Sequence, residues 1–204
     1  MKLLYAQASP FVRKVMACAI ELGLADRIEL LACAAHPVDR DPQVVARNPL
    51  GKIPTLTTDD GLVLYDSRVI CEYLDRLDGR HRLFPGEGAA RWRALREQAL
   101  ADGRLDAAVL LRYEQVVREE AARSPRWIAG QRAKVESALA EIERAAADFG
   151  DRVDIGTIAT ACALGYLDFR FADLRWRDAH PSAARWFAAF LQRESMRRTQ
   201  PPAA

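Results

Sequence analysis

Three short segments of the sequence carry polar groups whose type and position could serve binding or catalysis. Ser9 precedes Pro10 in "ASPFVRKV", at the head of an apolar-periodic run. A serine in that position caps a helix, and its hydroxyl can also face a ligand. The other two segments are "NPLGKIPTL", residues 48–56, and "YDSRVI", residues 65–70. Each one marks the start of a helix or strand, where backbone groups are left for a ligand to pair with.

The Ile53-Pro54 step offers a backbone binding site. Proline cannot donate to a β-ladder, so Pro54 must lie at the start or edge of a strand. If the bond is cis, the chain turns sharply, and the N–H and C=O groups of Ile53 face outward, able to pair with an extended peptide. An ordinary trans proline in a loop is the alternative, and the local sequence by itself favours it.

The Asp66-Ser67 pair offers a site for two opposite charges. A helix N-terminus presents unpaired N–H groups and the positive end of the dipole, so it can hold a carboxylate, with the Ser67 hydroxyl adding a hydrogen bond. The neighbouring Asp66 could pair with an ammonium group. Together they would recognise an amino-acid head group, whereas a plain helix cap would account for one of the two residues.

The elements that position these segments follow the order β-α-β-α-β-β-α within the first eighty residues. Hydrophobic periodicity and turn signals predict them. They are strands at 2–6 and 27–33, helices at 10–22, 41–48 and 67–77, and a hairpin over 53–66 that turns at Asp60-Gly61 in a tight primed turn. All three candidate segments lie at the ends of these elements, where ligands of α/β sheets bind.

The remainder of the chain predicts helices alone. The sequence divides into an α/β domain at 1–78, a glycine- and proline-containing linker at 79–88 and an all-helical domain at 89–204. Gly103 could bend or split the first long helix. Ser124-Pro125 predicts a helix start, and Asp154 with Thr157 predicts a capping box before a helix that is apolar nearly all round. A last helix over 180–195 and a tail over 196–204 follow.

Composition limits the classes of function. The 204 residues include 30 Lys+Arg and 28 Asp+Glu, a net charge of +2 that gives no field favouring nucleic acid or an anionic membrane. Four widely spaced cysteines show no metal-binding pattern and predict buried, reduced thiols, so no metal site is expected. Because no signal peptide or 18-residue apolar run is found, we expect a soluble, cytoplasmic protein.

The order of elements, "NPLGKIPTL", "YDSRVICEYL" and the helical second half together resemble the cytosolic glutathione transferase family, in particular its bacterial members with a serine-type active site. "ACALGYLDFR" and "RESMRRTQPPAA" extend the resemblance over nearly the whole chain. It implies a thioredoxin-like first domain that holds glutathione and a helical second domain that supplies the pocket for a small hydrophobic electrophile. It also implies glutathione as co-substrate without another cofactor, and a homodimer built by the first-domain surface packing on the long helix after the linker.

The resemblance also assigns residues to glutathione. Ile53 would pair with the cysteinyl backbone, with Pro54 cis, while Asp66 and Ser67 would hold the γ-glutamyl end. Lys52 would lie near a carboxylate of glutathione, although a solvated lysine is nearly as good an interpretation.

Asp102 and Asp106, one helical turn apart, would face the intersubunit cleft of such a dimer. There they would either contact the glutathione amine or be solvated, and the sequence favours neither.

Ser9 would then be the catalytic residue. In serine-type members the hydroxyl at the start of the first helix donates to the glutathione sulfur, and a donor stabilises thiolate over thiol. Capping and catalysis are compatible because a lone pair accepts while the proton donates. Tyr5, at the end of the first strand, occupies the place of the catalytic hydroxyl in tyrosine-type members and is the second candidate.

Two departures from the family pattern narrow these expectations. The sequence has "SPFV" where redox-active members carry a cysteine, which disfavours mixed-disulfide chemistry. In the second domain Asp154 and Thr157 stand in reversed order, which we expect to weaken the reciprocal bond of the capping box.

Two other activities remain open. One is glutathione-dependent isomerisation, dehalogenation or reduction, and the other is a non-catalytic interaction protein with the same fold.

Overall fold

A computed structural model describes residues 1–202 and divides the chain into two compact units. The first unit comprises Met1–Trp92 together with the residues from Arg193 onward, and the second comprises Arg93–Gln192. The division after Trp92 falls beyond the linker predicted from the sequence. The C-terminal segment belongs to the first unit, whereas the sequence predicts it in the helical domain. Residues 203 and 204, predicted as the end of a tail, lie outside the described residues.

The first unit is built on a four-stranded mixed sheet flanked by helices. The sheet order is β2-β1-β3-β4, in which β1 pairs parallel with β2 and antiparallel with β3, and β3 pairs antiparallel with β4. The elements are β1 (Lys2–Tyr5), α1 (Pro10–Glu21), β2 (Glu29–Ala32), α2 (Pro42–Val45), β3 (Thr55–Thr57), β4 (Val63–Leu64) and α3 (Ser67–Asp78). This is the predicted thioredoxin-like order of elements.

The core of this unit forms where α1 and α3 pack against each other beside the sheet. Leu3 and Leu56 from the sheet, Val15 from α1 and Ile70 from α3 are fully buried. Their spacing explains why the periodic runs fold as amphipathic helices: each presents one apolar stripe to the core. Cys18 and Cys71 are buried in the same core, as predicted, whereas Cys33 is only half-buried.

The hairpin between β3 and β4 turns differently from the prediction. The Gly61 N–H donates to the Thr58 carbonyl at 3.1 Å, and Gly61 has φ of +88°, a conformation that glycine adopts without steric cost. The Thr58 N–H donates to the Leu62 carbonyl at 2.9 Å, so three residues form the loop. The expected two-residue primed turn was wrong, because Asp-Gly also suits a three-residue loop that ends in the left-handed region.

The second unit is helical throughout the described residues. Its elements are α4 (Gly88–Val116), which begins in the first unit, followed by α5 (Pro125–Phe149), α6 (Ile155–Arg170), α7 (Trp176–Ala179) and α8 (Pro181–Phe190). Helix α4 continues through Gly103, so this glycine does not split it into two helices. Every residue of α6 from Ile155 to Leu167 is buried, as its all-round apolar sequence predicts. Each helix of the described chain is too short or too polar to span a membrane.

The capping box of α6 is complete despite its reversed order. The Thr157 N–H donates to the Asp154 carboxylate at 3.1 Å, and the Asp154 N–H donates to the Thr157 hydroxyl at 3.0 Å. The expected weakening of the reciprocal bond was wrong, since the threonine oxygen reaches the backbone as well as a longer side chain would.

The C-terminal segment is a helix, α9 (Glu194–Arg198), and not the predicted tail. The helix predicted over 180–195 ends earlier, at Phe190. Arg193 forms two hydrogen bonds of 2.8 Å with the Glu21 carboxylate, and the buried guanidinium of Arg13 donates to the Met196 carbonyl at 3.3 Å. These bonds hold α9 along α1, whose first residue follows Ser9.

Candidate functional site

The register of the sheet brings the three candidate segments to one end of the strands. Leu4, near the end of β1, pairs with Thr55 at the start of β3, and Leu56 pairs with Leu64 at the end of β4. The chain therefore leaves β1 toward Ser9, enters β3 from Ile53-Pro54 and leaves β4 toward Asp66-Ser67, all at the same end of the strands. The sequence predicted each segment separately, and the strand pairing brings them together.

Ser9 caps α1 and still has a proton to donate. Its hydroxyl oxygen accepts a hydrogen bond from the Val12 N–H at 3.3 Å, and its extended backbone leads into Pro10. The side chain is half-buried and stands at the positive end of the helix dipole. Such a hydroxyl can donate to an anion while its lone pair keeps the cap.

Tyr5 lies at the end of β1 and is half-buried. Burial raises the pKa of its phenol. A phenol with a raised pKa keeps its proton at neutral pH, so Tyr5 remains the second candidate donor to a thiolate.

The Ile53-Pro54 bond is cis, as the resemblance implies. Pro54 is buried, Ile53 is half-buried, and Lys52 is exposed. The exposed position of Lys52 leaves its ammonium group able either to meet a carboxylate or to remain in solvent.

Asn48 and Thr55 fix the loop that carries this bond, and sequence reasoning missed both. The Asn48 amide, only 2 % exposed, donates to the Lys52 carbonyl at 2.9 Å and to the Thr55 hydroxyl at 3.2 Å. The Thr55 hydroxyl in turn donates to the Lys52 carbonyl at 3.0 Å. Both residues therefore hold the backbone next to Ile53 in place. The sequence signal that could have indicated them is the presence of two polar residues, Asn48 and Thr55, on either side of Ile53-Pro54.

Asp66 and Ser67 form the start of α3. An oxygen of the exposed Asp66 carboxylate accepts from the Arg68 N–H at 2.9 Å, which makes Asp66 the helix cap, and Ser67 is buried at 3 % exposure. The Tyr65-Asp66 peptide bond is also cis. The plain helix cap therefore accounts for Asp66.

Asp102 and Asp106 belong to the second unit, on α4. Asp102 is buried at 1 % exposure, whereas Asp106 is exposed, so the two carboxylates one turn apart have different surroundings. Within residues 1–202 no group of three or more His, Cys, Asp or Glu side chains could hold a metal ion.

Comparison with known proteins shows the class to which this fold and site belong. A model of the glutathione S-transferase N-terminal domain matches residues 8–77, and a model of the C-terminal domain of the same family matches residues 125–189. The chain belongs to the glutathione S-transferase family, with its thioredoxin-like N-terminal and helical C-terminal domains.

Several relatives match over nearly their whole length. The chain is 35 % identical to the uncharacterized GST-like protein YibF of Escherichia coli (strain K12), with all of both chains covered. It is 48 % identical to a glutathione transferase family member from Pseudomonas fluorescens Pf-5 with bound glutathione, with a TM-score of 0.97 and 99 % of each chain covered. A structure from that organism with bound S-(propanoic acid)-glutathione, also at 48 % identity, covers all of both chains with a TM-score of 0.92.

Proposed function

We propose that this protein is a glutathione transferase. It binds glutathione at the ends of the strands in its first unit and activates the thiol for attack on a small electrophile. The observation that carries the proposal is the convergence of Ser9, Ile53-Pro54 and Asp66-Ser67 at that end of the strands. The relative from Pseudomonas fluorescens Pf-5 with bound glutathione supports it. A non-catalytic interaction protein would have no use for all three segments together.

Each segment has a part in the proposed complex. The N–H and C=O groups of Ile53, turned outward beside Pro54, pair with the cysteinyl backbone of glutathione. The N-terminus of α3 and the Ser67 hydroxyl hold the γ-glutamyl carboxylate, while the exposed Asp66 carboxylate meets the ammonium group. Lys52 lies toward the second carboxylate, that of the glycine end.

Ser9 performs the chemical step in this proposal. Its hydroxyl donates to the sulfur, and the dipole of α1 adds a favourable potential, so the thiolate forms at neutral pH. One charge-assisted hydrogen bond, about 1.5–3 kcal/mol, is enough to lower a thiol pKa by one to two units. The thiolate then attacks the electrophilic carbon of the second substrate, and the leaving group departs with its electron pair. We further propose that the enzyme works as a cytoplasmic homodimer.

Calorimetric titration with glutathione tests the binding part. Ser67→Ala and Asp66→Asn should each lose most of the affinity. Asp66→Asn is informative because asparagine caps a helix as well as aspartate does, so the substitution removes the charge and keeps α3. Unchanged affinity in both variants would refute the head-group site. A rate of conjugation with an activated aryl chloride that exceeds the spontaneous reaction measured without protein tests the catalytic part.

A further inference from the structure

Residues 193–202 run along helix α1 toward Ser9. We name these residues the C-terminal arm, and they belong to the same unit as α1. Their contacts follow the chain in order, from Arg193 with Glu21, through Met196 with Arg13, to Gln200 with Gln7. The partners on the arm advance in sequence while the partners on α1 go back. The arm is therefore antiparallel to α1 and ends beside the loop that carries Ser9.

Gln7 joins the arm to the loop between β1 and α1. Its exposed side-chain amide donates to the Gln200 carbonyl at 3.4 Å. In the same loop the Ser9 N–H donates to the Ala6 carbonyl at 3.0 Å, which closes a turn around Gln7. Because Gln7 lies inside the turn that Ser9 closes, a displacement of Gln7 also displaces Ser9.

Arg13 joins the arm to α1 itself. Its side chain is only 6 % exposed and donates to the Met196 carbonyl at 3.3 Å. The Arg13 N–H donates to the Ser9 carbonyl at 3.0 Å, so the backbones of these two residues are bonded directly. The arm therefore holds the chain on both sides of Ser9, in the turn before it and in the helix after it.

The position of the Ser9 oxygen decides how well its hydroxyl can serve a thiolate. The oxygen already accepts from the Val12 N–H at 3.3 Å, which ties it to the start of α1. A hydrogen bond weakens steeply as its donor angle departs from linear, and a catalytic contact tolerates a displacement of only about 0.5 Å. A donor at the end of a surface loop meets this requirement when the loop is held in place.

From these contacts we infer that the C-terminal arm positions the Ser9 hydroxyl toward the glutathione sulfur, with Gln7 and Arg13 as the positioning residues. The inference rests on the proposed function, because it concerns the catalytic contact assigned there to Ser9. Neither positioning residue touches the sulfur, and both act by holding Ser9. The last part of the sequence thus contributes to a site whose catalytic residue is near its beginning.

Ultraviolet titration of the bound glutathione thiol tests the inference. Gln7→Met keeps the length of the side chain and removes its donor. Arg13→Lys keeps the positive charge and removes the planar guanidinium, so a change in the titration cannot come from a lost charge. Each substitution should raise the pKa of the bound thiol by about half a unit or more, which is about a threefold loss of thiolate at a pH below that pKa. Glutathione affinity should stay nearly constant.

Two substitutions in the second unit are matched controls. Gln192 makes a hydrogen bond of the same kind as Gln7, since its exposed amide donates to the Ala188 carbonyl at 3.4 Å. Ser124→Ala removes a helix cap and lowers stability without touching the first unit. Gln192→Met and Ser124→Ala should both keep the wild-type pKa of the bound thiol.

A double variant shows whether Gln7 acts through Ser9. When the hydroxyl is already absent, Gln7→Met has no donor to displace, so the variant with both Ser9→Ala and Gln7→Met should titrate like Ser9→Ala alone. An equal rise of the thiol pKa with and without the Ser9 hydroxyl would assign Gln7 to the sulfur itself, and would overturn the inference.

The outcomes distinguish this inference from the proposed function. If the wild-type protein does not bind glutathione, or if Ser9→Ala titrates like wild type, the catalytic role of Ser9 and this inference are both overturned. If Ser9→Ala raises the thiol pKa while Gln7→Met and Arg13→Lys leave it at the wild-type value, the inference alone is overturned. Lower melting temperatures in the latter two variants would then give the arm a purely structural role.

Discussion

Ser9 and Ser124 are two serines with the same local geometry in two different units. Each precedes a proline at the start of a helix, and each hydroxyl accepts from the N–H three residues later at 3.3 Å. Because the caps match, a substitution at Ser124 measures what the cap contributes, and any further effect at Ser9 belongs to the ligand.

We therefore expect Ser9→Ala and Ser124→Ala to lower the free energy of unfolding similarly, by about 1 kcal/mol. Ser9→Ala alone should raise the pKa of the bound glutathione thiol by one unit or more, about 1.4 kcal/mol per unit, because the donor to the sulfur is gone. Turnover at neutral pH should fall roughly tenfold per unit and recover at high pH.

Ultraviolet titration of the bound thiolate in the three proteins checks this prediction. Glutathione affinity should stay nearly constant, since the head-group and backbone contacts remain. Superimposable titration curves for wild type and Ser9→Ala would leave Ser9 as a cap only, and Tyr5→Phe would be the next variant to titrate.

Glycines in the helices of the second unit give a contrasting pair at the scale of the element. A Cβ atom at Gly156, on α6, would lie 2.6 Å from a Glu97 carboxylate oxygen and 2.9 Å from the Ala94 carbonyl oxygen, so α6 and α4 approach closely there. A Cβ atom at Gly103, within α4, would meet nothing within 4 Å.

Gly156→Ala should destabilise the protein by about 1–3 kcal/mol, because Glu97 and the α4 backbone must move apart. Gly103→Ala should stabilise it by about 0.5–1 kcal/mol, since alanine loses less backbone entropy in a helix. Chemical denaturation of both variants measures the two changes, and a stable Gly156→Ala protein would contradict the close approach of the helices.

The contact between α1 and α9 should depend on pH. Partial burial raises the pKa of the Glu21 carboxyl, but hydrogen bonds from Arg193 and Ser195 outweigh it, and the pKa lies below the ordinary glutamate value of 4.5. A carboxyl whose folded-state pKa is lowered stabilises the fold above its unfolded pKa. This contribution disappears as the pH falls through the lower, folded value.

Glu21→Gln should therefore lower stability at pH 7 by about 1 kcal/mol, a modest effect because the pair is partly exposed to solvent. The difference between variant and wild type should shrink as the pH falls below 4.5, where the wild-type carboxyl also takes up its proton. Thermal unfolding at a series of pH values measures this. A constant difference across that range would contradict the assigned role of Glu21.

Local sequence patterns predicted most of these elements. They failed where residues far away in the sequence stabilise an element. The stretch around Pro54 and the pair at Asp66-Ser67 carry their own signals, since proline chemistry and helix caps act within a few residues. Helix α9 has no comparable signal, because its stability depends on Glu21 and Arg13, which lie far away in the sequence. The Asn48 network was missed for the related reason that an asparagine before proline suits an ordinary turn equally well.

The exposed apolar side chains beside strand β4 concern the oligomeric state of the protein. Strand β4 is an edge of the sheet, and near it Leu62, Tyr65 and Val69 are 54 %, 36 % and 47 % exposed. Strand β2 is the opposite edge, where Leu30 is 44 % exposed. Covering the β4 side with a second copy would remove more apolar surface from water.

We expect a homodimer at micromolar concentration, measured by light scattering. Val69→Glu should shift the molecular mass toward that of a monomer, because a charge would be buried at the interface, whereas Leu30→Glu should leave the mass unchanged. A monomeric wild-type protein would contradict the proposed dimer. A dimer equally sensitive to both substitutions would contradict its placement on the β4 side.

The assignment of α9 to the first unit has a consequence for synthesis on the ribosome. About a hundred residues of the second unit are synthesised between Trp92 and Arg193, so α1 is without its partner helix α9 until the whole helical unit has been made. Chains grow at roughly 5–20 residues per second, which makes this interval about 5–20 seconds. Chains that end before Arg193 should therefore show lower protease resistance in the first unit than the full chain, because the bonds from α9 to Glu21 and Arg13 are missing.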